Sequence, residues 1–163
     1  MHGYKWPINC TRTRTGYIPV QAGFGITRNL SQYTAGGGWE RMPAAVEISG
    51  SRNITVRQCE FTMLGGSGLS IGSGSRDSSV TGSRFDDISG SGIMLGGVLA
   101  TDNATADALR LAAVNNLITN TPREYLGAVG IFAGYLSEGL IAHNQLENLS
   151  YLPTTYGLFP YNR

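Results

Sequence analysis

The fold of this protein is decided by two stretches of sequence that match each other at an offset of 24 residues. Residues 53–71 read NITVRQCEFTMLGGSGLSI, and residues 77–95 read DSSVTGSRFDDISGSGIML. The large apolar residues coincide, and both stretches carry a Gly-Ser-Gly triplet just before their last apolar residues. A unit that recurs every 20–50 or so residues is the signature of a repeat architecture. The matched pairs are Val56/Val80, Phe61/Phe85, Leu64/Ile88, Leu69/Ile93 and Ile71/Leu95.

Shorter copies of the same unit lie on both sides of this pair. Residues 45–49 read AVEIS, residues 129–134 read VGIFAG and residues 156–160 read YGLFP. The interval from Ile93 to its counterpart Ile131 is 38 residues, which predicts an insertion near residues 98–111. Within it, residues 102–113 are predicted to form a short helix that begins at Asp102 or Asn103. The strands of the successive copies are predicted to start at Val46, Leu69, Ile93, Ile131 and Leu158.

Apolar residues alternate within each copy, which is the period of a strand and not of a helix. Strands this short cannot bury their apolar faces alone, so the copies must stack at about 4.8 Å per strand. The sequence therefore predicts an all-β fold, a parallel β-helix (solenoid) of about four to five rungs over residues 45–163. Residues 1–44 are predicted to be an irregular segment or a degenerate rung. Because no polar cap follows Leu158, we expect a fragment of a longer solenoid, or end-to-end packing on another subunit.

Small polar residues recur just before one inward apolar position of each copy. Such side chains hydrogen-bond the backbone at turns, so we expect them to hold the corners of the solenoid and to have no catalytic role. The two asparagines among them are also predicted to bond each other along the stack. The four residues are Cys59, Ser83, Asn116 and Asn144.

The composition fits one domain with a packed core. The chain has 163 residues, of which 41% are hydrophobic and 14% charged, and its net charge is +1. We therefore expect no nucleic acid and no membrane as partners. Cys10 and Cys59 lack the spacing of a disulfide scaffold or a metal site, so they are predicted to be reduced, with no metal and no cofactor. The first residues lack the apolar core of a signal peptide, so the compartment stays open, secreted if a parent chain carries such a signal.

Three stretches resemble a known group of proteins: VGIFAGY at residues 129–135, IAHN at residues 141–144 and FDDISGSGI at residues 85–93. They are similar to segments of right-handed parallel β-helix proteins of the pectate-lyase-like superfamily. The closer likeness is to large β-helix proteins that include fucosidase-like and xylanase-like glycoside hydrolases. The resemblance covers residues 40–150 or so and implies a right-handed β-helix, with a polysaccharide or oligosaccharide as the partner.

Two better-known relatives are disfavoured. Of the motifs that polygalacturonase-like enzymes share, only Asp86-Asp87 has a counterpart here. Pectate lyases need a basic residue to remove a proton, and the chain has a single lysine, Lys5, which disfavours that assignment as well.

Glycoside hydrolysis needs two carboxyl groups, about 5–5.5 Å apart for retention and about 6.5–9.5 Å apart for inversion. Asp86 lies seven residues before Ile93, and Glu124 lies seven before Ile131. We therefore expect Asp86 and Glu124 at equivalent points of adjacent rungs, with Asp87 as the alternative partner. Carboxylates this close raise the pKa of one of them. Glu147 is predicted at the rung position of Asp86; the competing interpretation is that these acids are simply solvated.

Substrate contacts are predicted for four further residues, Tyr125, Phe132, Tyr135 and His143. The three aromatic residues offer rings for sugar stacking, as does Tyr151, and the competing interpretation is that these rings pack under loops. Alternation from Ile141 aims His143 inward, where a hydrogen-bonded structural role competes with substrate binding. Two hypotheses follow: a glycosidase with a groove along the outward strand face, or a non-catalytic segment that binds carbohydrate or serves a structural role.

Overall fold

The computed structural model describes residues 24–26, 39–97 and 108–156, and within these ranges every regular element is a strand. No helix in this part of the chain is long and apolar enough to cross a membrane. The strands are β1 Phe24–Ile26, β2 Trp39–Arg41, β3 Ala44–Ile48, β4 Thr55–Arg57, β5 Glu60–Leu64, β6 Ser67–Ile71, β7 Arg76–Thr81, β8 Arg84–Ile88, β9 Ile93–Gly96, β10 Ala108–Val114, β11 Leu117–Thr119, β12 Ile131–Gly134, β13 Leu136–Ser137, β14 Leu140–Ala142, β15 Gln145–Glu147 and β16 Thr154–Tyr156.

Three parallel sheets hold the strands from β3 onward. Sheet 1 has the order β16-β12-β9-β6-β3, sheet 2 the order β13-β10-β7-β4 with β14 also paired to β10, and sheet 3 the order β15-β11-β8-β5. Successive strands fall in sheets 1, 2 and 3 in turn, so the chain coils into four rungs and begins a fifth at β16. This confirms the parallel β-helix predicted from the repeat.

Equivalent residues lie directly over one another, as the 24-residue offset predicts. Val56 pairs with Val80 in sheet 2, and Phe61 pairs with Phe85 in sheet 3. The two phenylalanine rings stack with centroids 4.6 Å apart and 3° between their planes. The inward columns of the three sheets form one core, in which Phe85 and Val80 are completely buried.

The Gly-Ser-Gly triplet is explained by close packing at the corner between sheet 3 and the next strand of sheet 1. A Cβ atom added at Gly92 would lie 2.9 Å from the carbonyl oxygen of Gly130 and 3.1 Å from Cγ2 of Ile118. One added at Gly68 would lie 2.5 Å from the carbonyl oxygen of Gly92. Only glycine lets successive rungs approach this closely, because the rung spacing is fixed by the strand hydrogen bonds.

The predicted polar column is confirmed between sheets 2 and 3. The hydroxyl of Ser83 accepts from the Cys59 N–H at 3.2 Å, and Oδ1 of Asn116 accepts from the Ser83 N–H at 3.0 Å. Nδ2 of Asn116 donates to Oδ1 of Asn144 at 2.9 Å and to the carbonyl oxygen of Val80 at 3.1 Å. These bonds satisfy backbone groups that the corner would otherwise leave buried and unpaired.

Left-handed residues turn the chain at three places in each rung. Each place forms a column of residues with φ between 50° and 59°. In the first column, Arg110 bonds Asp77 at 2.5 Å and lies 4.0 Å from Glu138, so charge alternates from rung to rung. The columns are Asn53/Asp77/Arg110/Glu138, Gln58/Gly82/Asn115/His143 and Met63/Asp87/Asn120/Asn148.

Two predictions about strand placement are wrong. The helix over residues 102–113 is not formed at its described end, because β10 occupies Ala108–Val114 and buries Ala108, Leu111 and Ala113 in the core. The insertion therefore ends before Ala108, and residues 98–107 lie outside the described residues. The position opposite Ile131 is taken by Thr154, not by Leu158, which lies outside the described residues.

The remaining predictions concern residues 1–44 and the two cysteines. The region before residue 45 contains β1 and β2, which pair antiparallel, and also Ala44, the first residue of β3. Cys59 is an exposed free thiol, whereas Cys10 lies outside the described residues.

Candidate functional site

The outward face of sheet 3 is lined by polar side chains in register, with Leu117 as the apolar exception. In β8, Phe85 points into the core, so its neighbours Arg84 and Asp86 point outward. Asp86 pairs with Thr62 on one side and with Thr119 on the other. Glu147 pairs with Thr119, which confirms that it shares the rung position of Asp86 but places it two rungs away. The outward columns are Glu60/Arg84/Leu117/Gln145 and Thr62/Asp86/Thr119/Glu147.

Asp86 is fully engaged by hydrogen bonds. Its Oδ1 accepts from Oγ1 of Thr119 at 2.8 Å and from Nδ2 of Asn120 at 2.7 Å, and its Oδ2 accepts from the Arg84 guanidinium at 2.9 Å. The bonds from Asn120 and Thr119 hold the pKa of Asp86 below its ordinary value, and the positive charge of Arg84 adds to them. The predicted rise in pKa from a close second carboxylate is therefore not found at Asp86.

Glu124 does not lie at the rung position of Asp86, so the predicted alignment of these two residues is wrong. Eleven residues, 120–130, connect sheet 3 to sheet 1 in this rung, against four, 89–92, in the rung before. Counting seven residues back from Ile131 therefore stops inside this connection and does not reach the end of β11 at Thr119. The N–H of Glu124 donates to the carbonyl oxygen of Ser89 at 3.3 Å, which places Glu124 beside Ser89.

The longer connection nevertheless brings Glu124 to the same corner as Asp87. The N–H of Arg123 donates to the carbonyl oxygen of Ile88 at 2.9 Å, and Nε of Arg123 lies 3.4 Å from Oδ1 of Asp87. Asp87 is itself a left-handed residue, with φ of 54°, and about half of its side chain is exposed. Glu124 is exposed next to this ion pair.

The next rung adds a tyrosine to this corner. Nδ2 of Asn148 donates to Oδ1 of Asn120, and the hydroxyl of Ser150 donates to the carbonyl oxygen of Pro122 at 2.7 Å. Tyr151 therefore follows directly after the contact with Pro122, and it is 58% exposed. We call this group of residues the Asp87 corner: Asp86, Asp87, Asn120, Arg123, Glu124, Asn148 and Tyr151.

Two of the aromatic residues predicted to contact substrate are buried. Tyr125 is 6% exposed and packs against Met42 and Ala128, and Phe132 is 1% exposed and packs against Met94. Phe132 lies on the outward face of sheet 1, so the predicted groove along that face is not open at this position, whereas Tyr125 lies in the connection that precedes β12. Alternation correctly gave Phe132 an outward direction but carries no information about what packs over it.

The other two predicted contacts lie elsewhere in the rung. His143 is exposed at the corner between sheets 2 and 3, so its predicted inward direction is wrong. Its φ of 55° breaks the strand alternation, which simple counting from Ile141 does not anticipate. Tyr135 is half-buried at the end of β12, with φ of 41°.

Three residues of the Asp87 corner were missed by sequence reasoning. Asn120 and Asn148 occupy the same corner column as Asp87, and Arg123 supplies its ion pair. The signal for the asparagines was present, because Asn148 follows Asn120 by 28 residues, the same interval that separates Asn144 from Asn116. No sequence signal marked Arg123, since its place depends on the length of the connection after β11.

Comparison with known proteins bears on the fold. No family model and no curated protein matches the chain. Among solved structures, the chain is similar to one titled "Glycoside hydrolase", with a TM-score of 0.74 and 24% sequence identity. The match covers 85% of this chain but only 27% of the other, so this chain spans about a quarter of that protein's length. Over most of its length, the chain thus has the fold of one section of a glycoside hydrolase.

Proposed function

We propose that this chain is part of a carbohydrate-active β-helix protein and that the Asp87 corner is a surface that binds saccharide. The observation that carries the proposal is that adjacent rungs place an exposed tyrosine, Tyr151, and the exposed Asp87–Arg123 ion pair at the same corner, where Ser150 bonds the backbone of Pro122. Saccharides present apolar C–H faces that pack on aromatic rings, and hydroxyl groups that hydrogen-bond carboxylates and guanidinium groups. The fold shared with a glycoside hydrolase is consistent with this assignment.

The Asp87–Arg123 ion pair is weak enough for the hydroxyl groups of a bound saccharide to replace it. Both side chains of the Asp87–Arg123 pair are about half exposed, and their 3.4 Å separation is long for a charged hydrogen bond. Exposed pairs contribute only about 0–1 kcal/mol, so sugar hydroxyl groups can replace the contact at little cost. Asp86, by contrast, is held by its three donors and supports the corner.

Hydrolysis by Asp86, Asp87 and Glu124 is the second candidate function. It is favoured by their position at one corner, where the backbone of residues 123–124 bonds to residues 88–89. The lowered pKa of Asp86 suits a carboxylate that stays ionised as base or charge stabiliser, and Glu124 or Asp87 would supply the second carboxyl group.

Binding is tested by isothermal titration with soluble oligosaccharides, using xylan fragments as the first probe. Tyr151→Ala should raise Kd about two- to tenfold, because a stacked ring contributes about 0.5–1.5 kcal/mol and 1.4 kcal/mol is a factor of ten. Leu140→Ala is the control, since Leu140 is a similarly exposed apolar residue (52%) on sheet 2. An equal loss in both variants, or no loss in either, would contradict binding at the Asp87 corner.

Turnover is tested separately on the same oligosaccharides. If the corner is catalytic, Glu124→Gln and Asp86→Asn should each lower kcat by at least a hundredfold while Kd changes little. Turnover that survives both substitutions would exclude hydrolysis at this corner and leave the binding proposal in place.

A further inference from the structure

We propose that Met42 and Tyr125 form a latch that positions Arg123 and Glu124 at the Asp87 corner. The inference rests on the proposed function in so far as the corner binds saccharide. Both residues are buried, Met42 completely and Tyr125 to all but 6%, and with Ala128 they form a cluster separate from the main core. Neither touches the saccharide in this proposal; each is a positioning residue.

The segment that needs positioning is the connection of residues 120–130. No strand lies within it, so its backbone is held by hydrogen bonds to the rungs on both sides. The N–H groups of Arg123 and Tyr125 each donate at 2.9 Å, to the carbonyl oxygens of Ile88 and Ser89. The N–H of Ala128 donates to the carbonyl oxygen of Tyr125 at 2.7 Å, which folds the segment back on itself. The buried Tyr125 side chain is thus the apolar contact that holds the connection on the side of Arg123 and Glu124 that leads to β12.

Met42 provides apolar surface in the cluster that buries Tyr125. It lies between β2 and β3, before the first rung, yet it packs against a residue of the third rung. Its sulfur occupies the space over Gly90 of the second rung, where an added Cβ atom would lie only 2.5 Å from it. Methionine fills irregular gaps of this kind and packs well on aromatic rings. A glycine at position 90 is therefore what admits the methionine side chain to this corner.

Loss of the latch should reduce local order at the Asp87 corner without lowering the stability of the solenoid as a whole. Tyr125 and Met42 are absent from the main core, which is made of the inward residues of the three sheets. Loss of the latch should therefore release residues 123–125 while the strands remain paired. A residue that served the global fold alone would not have this effect.

The test combines hydrogen exchange with binding. In Met42→Ala we expect the amides of Arg123 and Tyr125 to exchange at least tenfold faster relative to the strand amide of Leu117, with a similar rise in Kd for the saccharide probe. Met42→Leu should restore both. Gly90→Ala leaves the sequence of residues 120–130 unchanged and places a methyl group 2.5 Å from the Met42 sulfur and 2.8 Å from Oγ of Ser67, so it should reproduce the loss and serves as the second variant if Met42→Ala folds poorly.

Leu111→Ala is the matched control, because Leu111 is equally buried but lies in the main core in β10. It should accelerate exchange at Arg123 and Leu117 alike. The latch is refuted if Arg123 and Tyr125 keep their protection in Met42→Ala and Gly90→Ala, or if Leu111→Ala releases them selectively. If the wild-type protein binds no saccharide, the proposed function fails, and the exchange measurement still decides the latch.

Discussion

Asp86 links three rungs through one carboxylate. Thr119 and Asn120 of the following rung donate to it, and so does Arg84 of its own rung, which also bonds Glu60 of the rung before at 2.7 Å. Hydrogen bonds to an ionised group are worth about 1.5–3 kcal/mol each in folded proteins, less where water competes. Since 21% of the Asp86 side chain is exposed, we expect Asp86→Asn to lower the free energy of unfolding at pH 7 by roughly 1–2 kcal/mol.

The pH dependence of stability gives a second test of Asp86. Its pKa in the folded protein lies below the unfolded value of about 3.9, so its contribution is present above that pH and is lost as pH falls through the folded pKa. Urea unfolding at pH 7 and at pH 3 should show a smaller acid-induced loss in Asp86→Asn than in the wild-type protein. Some loss should remain, because Arg110 lowers the pKa of Asp77 in the same direction. Equal losses in both proteins would contradict the assignment.

Gly92 tests the close approach of rungs at the corner. The substitution Gly92→Ala places a methyl group 2.9 Å from the carbonyl oxygen of Gly130, and backbone cannot move aside as a side chain can. We expect a loss of roughly 1–3 kcal/mol in thermal or urea unfolding. Gly50→Asn is the control, because nothing lies within 4 Å of an added Cβ atom there and asparagine tolerates its φ of 58°. A Gly92→Ala variant as stable as the control would disprove the packing argument.

At the scale of the element, the sheets could be predicted from sequence and the connections between them could not. Strand positions follow from the alternation of inward residues, so the register of Phe61 with Phe85 was predictable from the repeat. The connection after β11 has no partner in the repeat, and its length moved Glu124 away from Asp86. The alanine-rich stretch at β10 has high helix propensity, but Ala112 and Ala113 pair with β7, so the stacking of rungs overrode local preference.

The asparagine column joins these elements across sheets 2 and 3. Asn116→Ala would leave the Ser83 N–H and the Val80 carbonyl oxygen without their side-chain partner, and Asn116 is buried. We expect a loss of about 2–4 kcal/mol, since each buried group left unpaired costs about 1–3 kcal/mol. Asn144→Ala, in the last described rung and half-buried, should cost less. Urea unfolding of the two variants checks the order, and the reverse order would contradict the role given to this column.

At the scale of the whole molecule, charge is unevenly distributed over the described surface. The chain carries a net charge of +1, yet the outward face of sheet 3 and the Asp87 corner together hold five carboxylates and two guanidinium groups. The carboxylates are those of Glu60, Asp86, Asp87, Glu124 and Glu147.

This surplus of negative charge predicts which saccharides bind more tightly. Like charges oppose association, so neutral xylan fragments should bind more tightly than polygalacturonate fragments of equal length. The difference should shrink as salt is raised from 20 mM to 500 mM, because exposed charges are screened within about 10 Å at 0.1 M. Tighter binding of the polyuronate at low salt would contradict the charge argument.

The fold and the Asp87 corner both depend on the register of the stacked rungs, and inter-strand nuclear Overhauser effects in isotope-labelled protein measure that register directly. We predict backbone cross-peaks that link Asp86 to the strands carrying Thr62 and Thr119, together with ring contacts between Phe61 and Phe85. Cross-peaks from Asp86 to Glu124 in place of Thr119, or the Hα–Hα pattern of antiparallel strands in sheet 3, would contradict it.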